Sequence, residues 1–253
     1  MSDNDNMYKL VAFDLDGTLA ESKMEISKEM VFLLESLQKK FEISIITGGK
    51  EEQILTQVVN RLGSLINLEK FHLMPTCGSK YLRFLDGDWT VVYENSIPEK
   101  TRSEIIFSME QVAKDLALWE EEPYGDIIED RICQITFSAL GQKAPIEEKE
   151  KWDPSGSKKI LLRDRLSLLF PDLEVKTGGT TSIDVTLKGM DKAYGVNQLL
   201  HNLGLEKNEI IFVGDRLEKN GNDYPVISTG VATKGVKSLK ETEEFIRNYL
   251  LNL

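Results

Sequence analysis

The chain has 253 residues, 41% of them apolar and 29% charged, an ordinary balance for a folded protein. At roughly 150 residues per domain this is one large domain, or a domain with a substantial insert. The 31 basic and 42 acidic residues leave a net charge of −11, which argues against electrostatic binding to nucleic acid or to an anionic membrane.

The polar stretch from Met1 to Asn6 lacks the basic start and apolar run of a signal peptide, and no apolar run is long enough to span a bilayer. Tyr8 to Phe13 reads as a short buried strand, stopped by Asp14 and Gly17. Ser27 suits a helix N-cap ahead of Met30, Val31, Leu33, Leu34 and Leu37 at helical spacing. Ile43 to Ile46 is a second strand, ending at Thr47-Gly48-Gly49. A helix over Glu51 to Leu62 and a strand over Phe71 to Met74 follow. This order is that of a doubly wound parallel sheet, an α/β fold. Tyr81 to Glu94 then reads as a hairpin about Asp86-Gly87. A long amphipathic helix is expected over Glu99 to Glu120, β-like alternation over Ile127 to Ser138, a helix over 158–170, and strand character from Leu173 to Val185. The βα pattern resumes with a helix over Lys192 to Leu203 and a strand over Ile210 to Val213, and a last helix covers Ser238 to Leu250. The expected organisation is a Rossmann-like sheet domain from residues 1–87 and 186–253, interrupted by an α+β insert from 88 to 185.

Cys77 and Cys133 lie far apart, and His72 and His201 are too few for a zinc cluster. A reduced, cytoplasmic protein is expected, with any metal held by oxygen ligands.

The strongest chemical signal is Asp14-Leu15-Asp16-Gly17-Thr18, directly after an apolar strand. Ligands bind at the carboxyl ends of strands in open α/β sheets. Two carboxylates two residues apart can share a pocket, one attacking phosphorus or holding a cation while the other moves a proton. Three further strings accompany it in chain order: Thr47-Gly48-Gly49 after the second strand, Lys192 before a late helix with Lys188 as its rival, and Gly214-Asp215 with Gly221-Asn222-Asp223 after a strand.

This set resembles the four motifs of the haloacid-dehalogenase-type phosphotransferases. The resemblance implies Asp14 as nucleophile, Asp16 as acid and base, and Thr47 and Lys192 on the phosphoryl oxygens, with Gly48 and Gly49 alongside. It also implies Mg²⁺ held by Asp14, the backbone carbonyl of Asp16, Asp215 and Asp223, and an aspartyl-phosphate intermediate. The insert between the second and third motifs matches members with a large α+β cap. Over nearly its full length the chain is similar to the eukaryotic-type phosphomannomutases. The supporting residues are Gly178-Gly179 before Ser182-Ile183-Asp184, and the segment from Arg131 through Ser138 and Gly141 to Lys149. Carried across, Arg131, Lys149, Ser182 and Asp184 become substrate contacts, and a homodimer through the cap is implied.

Three departures stand out. Gln142 and Lys149 occupy positions where the mutase pattern has Arg, and Thr76-Cys77-Gly78 replaces Glu-Asn-Gly. Gln carries no charge, and Lys cannot reproduce the guanidinium fork. The expected activity is therefore Mg²⁺-dependent phosphohydrolysis of a small phosphorylated sugar or polyol, with a phosphohexomutase as the alternative and a non-catalytic binding module as the third reading. Residues 143–165 hold 7 basic and 5 acidic residues, a local excess compatible with gripping a small anion.

Overall fold

The computed structural model describes residues 8–64 and 66–253. The Met1–Asn6 segment lies outside them. The chain forms two compact units: residues 1–94 with 191–253, and residues 95–190.

The first unit is built on a seven-stranded sheet. In chain order its elements are β1 (Leu10–Phe13), α1 (Lys28–Leu37), β2 (Glu42–Ile46), α2 (Glu51–Gln57), β3 (Phe71–Met74), β4 (Lys80–Leu85) and β5 (Asp88–Glu94). Four elements that follow the second unit in sequence complete it: α6 (Lys192–Leu203), β10 (Ile210–Gly214), β11 (Ala232–Gly235) and α7 (Leu239–Asn248). The strand order is β11-β10-β1-β2-β3-β4-β5. Neighbours are parallel from β11 to β3 and antiparallel from β3 to β5.

The central parallel strands are mostly apolar because both of their faces are covered. Val11, Phe13, Ile43, Ile45, Ile211 and Val213 enter one buried cluster with Met30, Leu33, Leu34 and Leu37 of α1. Leu10, Ala12, Ile46, Ile210 and Phe212 enter the other with Val196 and Leu199 of α6. The helix starts follow their caps. Ser27 Oγ accepts from the Met30 N–H at 3.0 Å, and Asp191 Oδ1 accepts from the Tyr194 N–H at 3.1 Å.

The second unit contains α3 (Glu99–Asp115), β6 (Ile128–Asp130), β7 (Gln134–Ser138), α4 (Ile146–Trp152), α5 (Ser157–Leu169), β8 (Leu173–Thr177) and β9 (Ser182–Leu187). Its antiparallel sheet runs β6-β7-β9-β8. Alternation divides the sheet into two faces. Ile135, Phe137, Ile183 and Val185 pack with Ile105 and Met109 of α3 and Leu162 and Leu166 of α5. Gln134, Thr136, Ser138, Ser182, Asp184 and Thr186 lie on the opposite face.

Several boundaries differ from expectation. The insert begins at 95 rather than 88, because β5 pairs along its length with β4 and so belongs to the first sheet. It ends at 190 rather than 185. The helix expected to reach Leu62 stops at Gln57, whose carbonyl is taken by the Ile26 N–H at 2.9 Å. The helix expected to reach Glu120 ends at Asp115, where Ala117 turns left-handed (φ 54°) and the Leu118 N–H closes onto the Ala113 carbonyl at 2.8 Å, a Schellman-type stop. Neither α4 nor β11 is expected from the sequence pattern.

Candidate active site

Asp14 immediately follows β1, and its N–H donates to the Val213 carbonyl at 2.9 Å. That bond extends the β1–β10 ladder by one residue and delivers the carboxyl group at the strand's end. β1 is flanked by β2 on one side and β10 on the other, so Asp14 stands at the switch point of the topology, where open α/β sheets bind ligands. Thr47 follows β2 and Asp215 follows β10.

Lys192 is the first residue of α6 and is fully buried. Its Nζ donates both to Asp14 Oδ1 and to Asp223 Oδ1, the latter at 2.6 Å. Asp223 in turn accepts the Arg216 N–H on Oδ2 at 2.9 Å, and the Asp223 N–H returns to the Arg216 carbonyl at 3.1 Å. These bonds fold the 215–223 loop so that ligand oxygens of Asp14, Asp215 and Asp223 lie within 4.8 Å of one another. Lys188 is exposed, so of the two candidate lysines the fold brings Lys192 into the cluster.

Burial pushes the Asp14 carboxyl well above the usual carboxylate range. Lys192 opposes that shift, while Asp223 and Asp215 add to it. The Asp215 carboxyl is also raised, by burial and then by Asp223. Lys192 is held charged, because the attraction of Asp14 and Asp223 outweighs its own burial. The cluster is thus short of positive charge. Asp215 Oδ1 is buried and makes no hydrogen bond, which leaves an oxygen suited to a cation. Three hard oxygen donors of this kind fit Mg²⁺.

Asp16 contributes no carboxylate oxygen to that cluster. Its Oδ1 accepts from the Lys23 N–H at 2.8 Å and its Oδ2 from Gln53 Nε2 at 2.9 Å. Thr18 is fully buried and its hydroxyl has no partner. Thr47 is buried, and its Oγ1 accepts from the Gly49 N–H at 3.1 Å. The turn after β3 ties onto this loop: the Thr76 N–H donates to the Gly49 carbonyl and the Cys77 N–H to the Thr47 carbonyl, each at 2.8 Å. Thr76, Cys77 and Gly78 all have positive φ, at 48°, 57° and 84°, a strained run of the sort found at functional sites.

In the second unit, Asp184 Oδ1 accepts from Gln134 Nε2 at 2.9 Å and from Thr136 Oγ1 at 2.7 Å. Burial raises its carboxyl, against the pull of Arg131. Ser182 Oγ lies 3.3 Å from Ser138 Oγ on the same sheet face. Arg131 pairs with Glu129, Nε to Oε2 at 2.7 Å. Lys149 stands on α4 with Nζ 3.4 Å from the Gln142 carbonyl. Gln53, Gln134 and Thr136 were not among the expected site residues. Alternation along β7 points to the last two, whereas nothing local points to Gln53.

Comparison with known proteins gives a consistent picture. The haloacid dehalogenase-like hydrolase family matches residues 11–234. The phosphomannomutase of Spinacia oleracea is 25% identical over 229 residues, covering 87% of this chain and 86% of that protein. The phosphomannomutase of Schizosaccharomyces pombe is 29% identical over 226 residues, covering 86% and 84%. Among solved structures, an IMP-bound IMP-nucleotidase of Plasmodium falciparum has a TM-score of 0.69 at 18% identity, covering 97% of this chain and 68% of that one. A haloacid dehalogenase-like hydrolase of Bacteroides thetaiotaomicron has a TM-score of 0.64 at 19% identity, covering 95% and 99%. The two structural likenesses bear on the fold. The match over residues 11–234 reaches from β1 to β11, and by it the chain belongs to the haloacid dehalogenase-like hydrolases.

Proposed function

We propose that this chain is a Mg²⁺-dependent phosphomonoesterase acting on a small phosphorylated sugar or polyol. The observation that carries the reading is Lys192 joining Asp14 to Asp223 at the carboxyl end of β1, beside an Asp215 oxygen without a partner. In this reading Asp14 attacks phosphorus in line, and the bond to the leaving oxygen breaks as an aspartyl-phosphate forms. Asp16 gives its proton to that oxygen, then takes one from the water that hydrolyses the acyl phosphate. Thr47 Oγ1 and Lys192 Nζ hold phosphoryl oxygens. Asp14, Asp215 and Asp223, with the backbone carbonyl of Asp16, would hold Mg²⁺, which supplies electrostatic stabilisation of the transferring phosphoryl group.

On the inserted unit, Arg131, Ser182, Asp184 and Lys149 are assigned to the substrate. Asp184 presents a carboxyl already oriented by Gln134 and Thr136, as recognition of a hydroxyl requires. Hydrolysis is favoured over mutase chemistry because Gln142 and Lys149 stand where two arginines would grip a second phosphate, and the Lys149 ammonium is directed at the Gln142 carbonyl. The mutase reading draws on the relatives that bear that name.

The test is phosphate release from a panel of sugar, polyol and nucleoside phosphates in Mg²⁺. It is run beside conversion of mannose 1-phosphate to the 6-phosphate in the presence of a sugar bisphosphate. Stoichiometric phosphate from a sugar or polyol ester, lost in EDTA and reduced at least about 10³-fold in Asp14→Asn, is the expected result. Isomerisation without phosphate release would establish the mutase instead, and turnover surviving in Asp14→Asn would remove the nucleophile.

A further inference from the structure

Gln53 occupies the third position of α2, where a glutamine commonly reaches back to cap its own helix. Here it does something else: its Nε2 donates to Asp16 Oδ2 at 2.9 Å. The other Asp16 oxygen accepts from the Lys23 N–H at 2.8 Å. One donor on each oxygen fixes both the place and the rotation of a carboxylate that otherwise turns freely about its last torsion.

The two supports differ in kind. Lys23 lies in an exposed segment ahead of α1. Gln53 packs against the loop that follows β2. Its carboxamide lies where a side chain at Gly49 would be, and any such side chain would collide with Oε1. Gly49 is itself tied on both sides, by its N–H to Thr47 Oγ1 at 3.1 Å and by its carbonyl from the Thr76 N–H at 2.8 Å. Asp16 is therefore referenced, through Gln53, to the same loop that carries Thr47.

We propose that Gln53 is the positioning residue for Asp16, aligning the carboxyl group that exchanges a proton with the leaving oxygen; this rests on the phosphatase reading above. Gln53 touches no reacting atom in this role. Proton transfer demands heavy-atom separations of about 2.6–3.2 Å, and a misplacement of about 1 Å is enough to cost about 100-fold in rate.

The leaving group supplies a readout that a merely structural role would not move. An alkoxide needs the proton as its bond to phosphorus breaks, whereas 2,4-dinitrophenolate leaves without one. The value of kcat/KM covers the steps up to phosphoryl transfer onto Asp14, so later hydrolysis does not enter. Gln53→Met keeps the length and removes the donor, and Gln53→Glu keeps the shape and sets a second carboxylate against Asp16. Both are measured in Mg²⁺ on the best alkyl phosphate of the panel and on 2,4-dinitrophenyl phosphate, with circular dichroism to establish folding. The expected result is a loss of about 10²-fold on the alkyl ester and under about threefold on the dinitrophenyl ester. Equal losses on the two esters, or none, in either folded variant overturn the assignment of Gln53 while leaving the phosphatase intact. A wild type inert on both esters, or an Asp14→Asn variant still active, overturns the phosphatase reading and this inference with it.

Discussion

Gly78 and Gly195 meet backbone to backbone. A side-chain carbon on Gly78 would fall onto the Cα of Gly195, and one on Gly195 would lie 3.3 Å from the Cα of Gly78. The contact seats the first turn of α6, which begins with Lys192, on the turn that follows β3. Tyr93 reinforces it by donating its hydroxyl to the Gly78 carbonyl at 2.7 Å and setting its ring edge-on to Tyr194, 6.2 Å between centroids.

Gly78→Ala combines a positive φ of 84° with that collision. It is expected to cost about 2–4 kcal/mol and to lower turnover by displacing Lys192. Gly87→Ala is the control: its φ is 90° but the space around it is open, so only the left-handed strain of about 1–2 kcal/mol should appear. Urea unfolding of the two variants isolates the close approach.

Lys192→Met leaves three carboxylates in one buried cluster without the cation that Asp14 and Asp223 share. In EDTA near neutral pH the expected loss is about 3–5 kcal/mol. Asp14 and Asp215 both have carboxyls raised in the folded state. The fold therefore keeps protons that the unfolded chain has released. Their contribution is present below the ordinary carboxyl range and is lost as pH rises through the raised values. The deficit of Lys192→Met should accordingly shrink as the solution is acidified. The stabilisation that Mg²⁺ is expected to give the wild type, about 2–3 kcal/mol near a hundredfold excess over Kd and followed as a rise in melting temperature, should shrink over the same range.

Gln142→Arg with Lys149→Arg restores two forked cations to the inserted unit. A charged hydrogen bond of about 1.5–3 kcal/mol corresponds to about a tenfold or greater fall in KM for a hexose bisphosphate. The KM for a monophosphate should move little. Steady-state kinetics on the two esters checks the split, and an unchanged bisphosphate KM would place the second phosphate elsewhere.

His72 is fully buried, with Nδ1 2.7 Å from the Tyr81 hydroxyl and Nε2 2.7 Å from Glu42 Oε2. Its hydrogen bond to Glu42 holds that carboxyl below its usual range. A depressed carboxyl stabilises the fold above its unfolded value and stops doing so as pH falls through its folded one. Glu42 is 43% exposed, so Glu42→Gln should cost only about 1 kcal/mol at neutral pH. Paired urea curves at neutral and strongly acidic pH should show that difference vanish in acid.

The central parallel strands were legible because they are mostly apolar on two faces, so a run such as Leu10–Phe13 needs no partner to identify it. The strings that meet around Asp14, Lys192, Asp215 and Asp223 could be picked out because their polar chemistry is concentrated in a few adjacent residues. What escaped depends on residues far apart in sequence. Gln53 looks like any polar residue of an exposed helix until the turn at Gly17 brings Asp16 to it. The left-handed run at 76–78 is set by hydrogen bonds to the Thr47–Gly49 loop. Helix α4 buries none of its own residues, so it carries no apolar stripe. β11 is an edge strand with alternate residues exposed, and its Gly and Lys read as loop. The boundary at 88 failed for a related reason: a hairpin signal says that two strands pair, and not which sheet they join.

The insertion of β10 between β1 and β11 also sets an order of events during synthesis. Asp14 and its partner Lys192 are separated by 178 residues, and the edge of β1 that β10 will occupy stays unpaired until nearly all of that chain has left the ribosome. An apolar strand with an open edge is a template for wrong pairing. The inserted unit has its own buried core and can gather its contacts first, whereas the long closure joining β10 to β1 is slow on entropic grounds. The nascent protein thus passes through a stage in which the strand that leads into Asp14 carries an open edge.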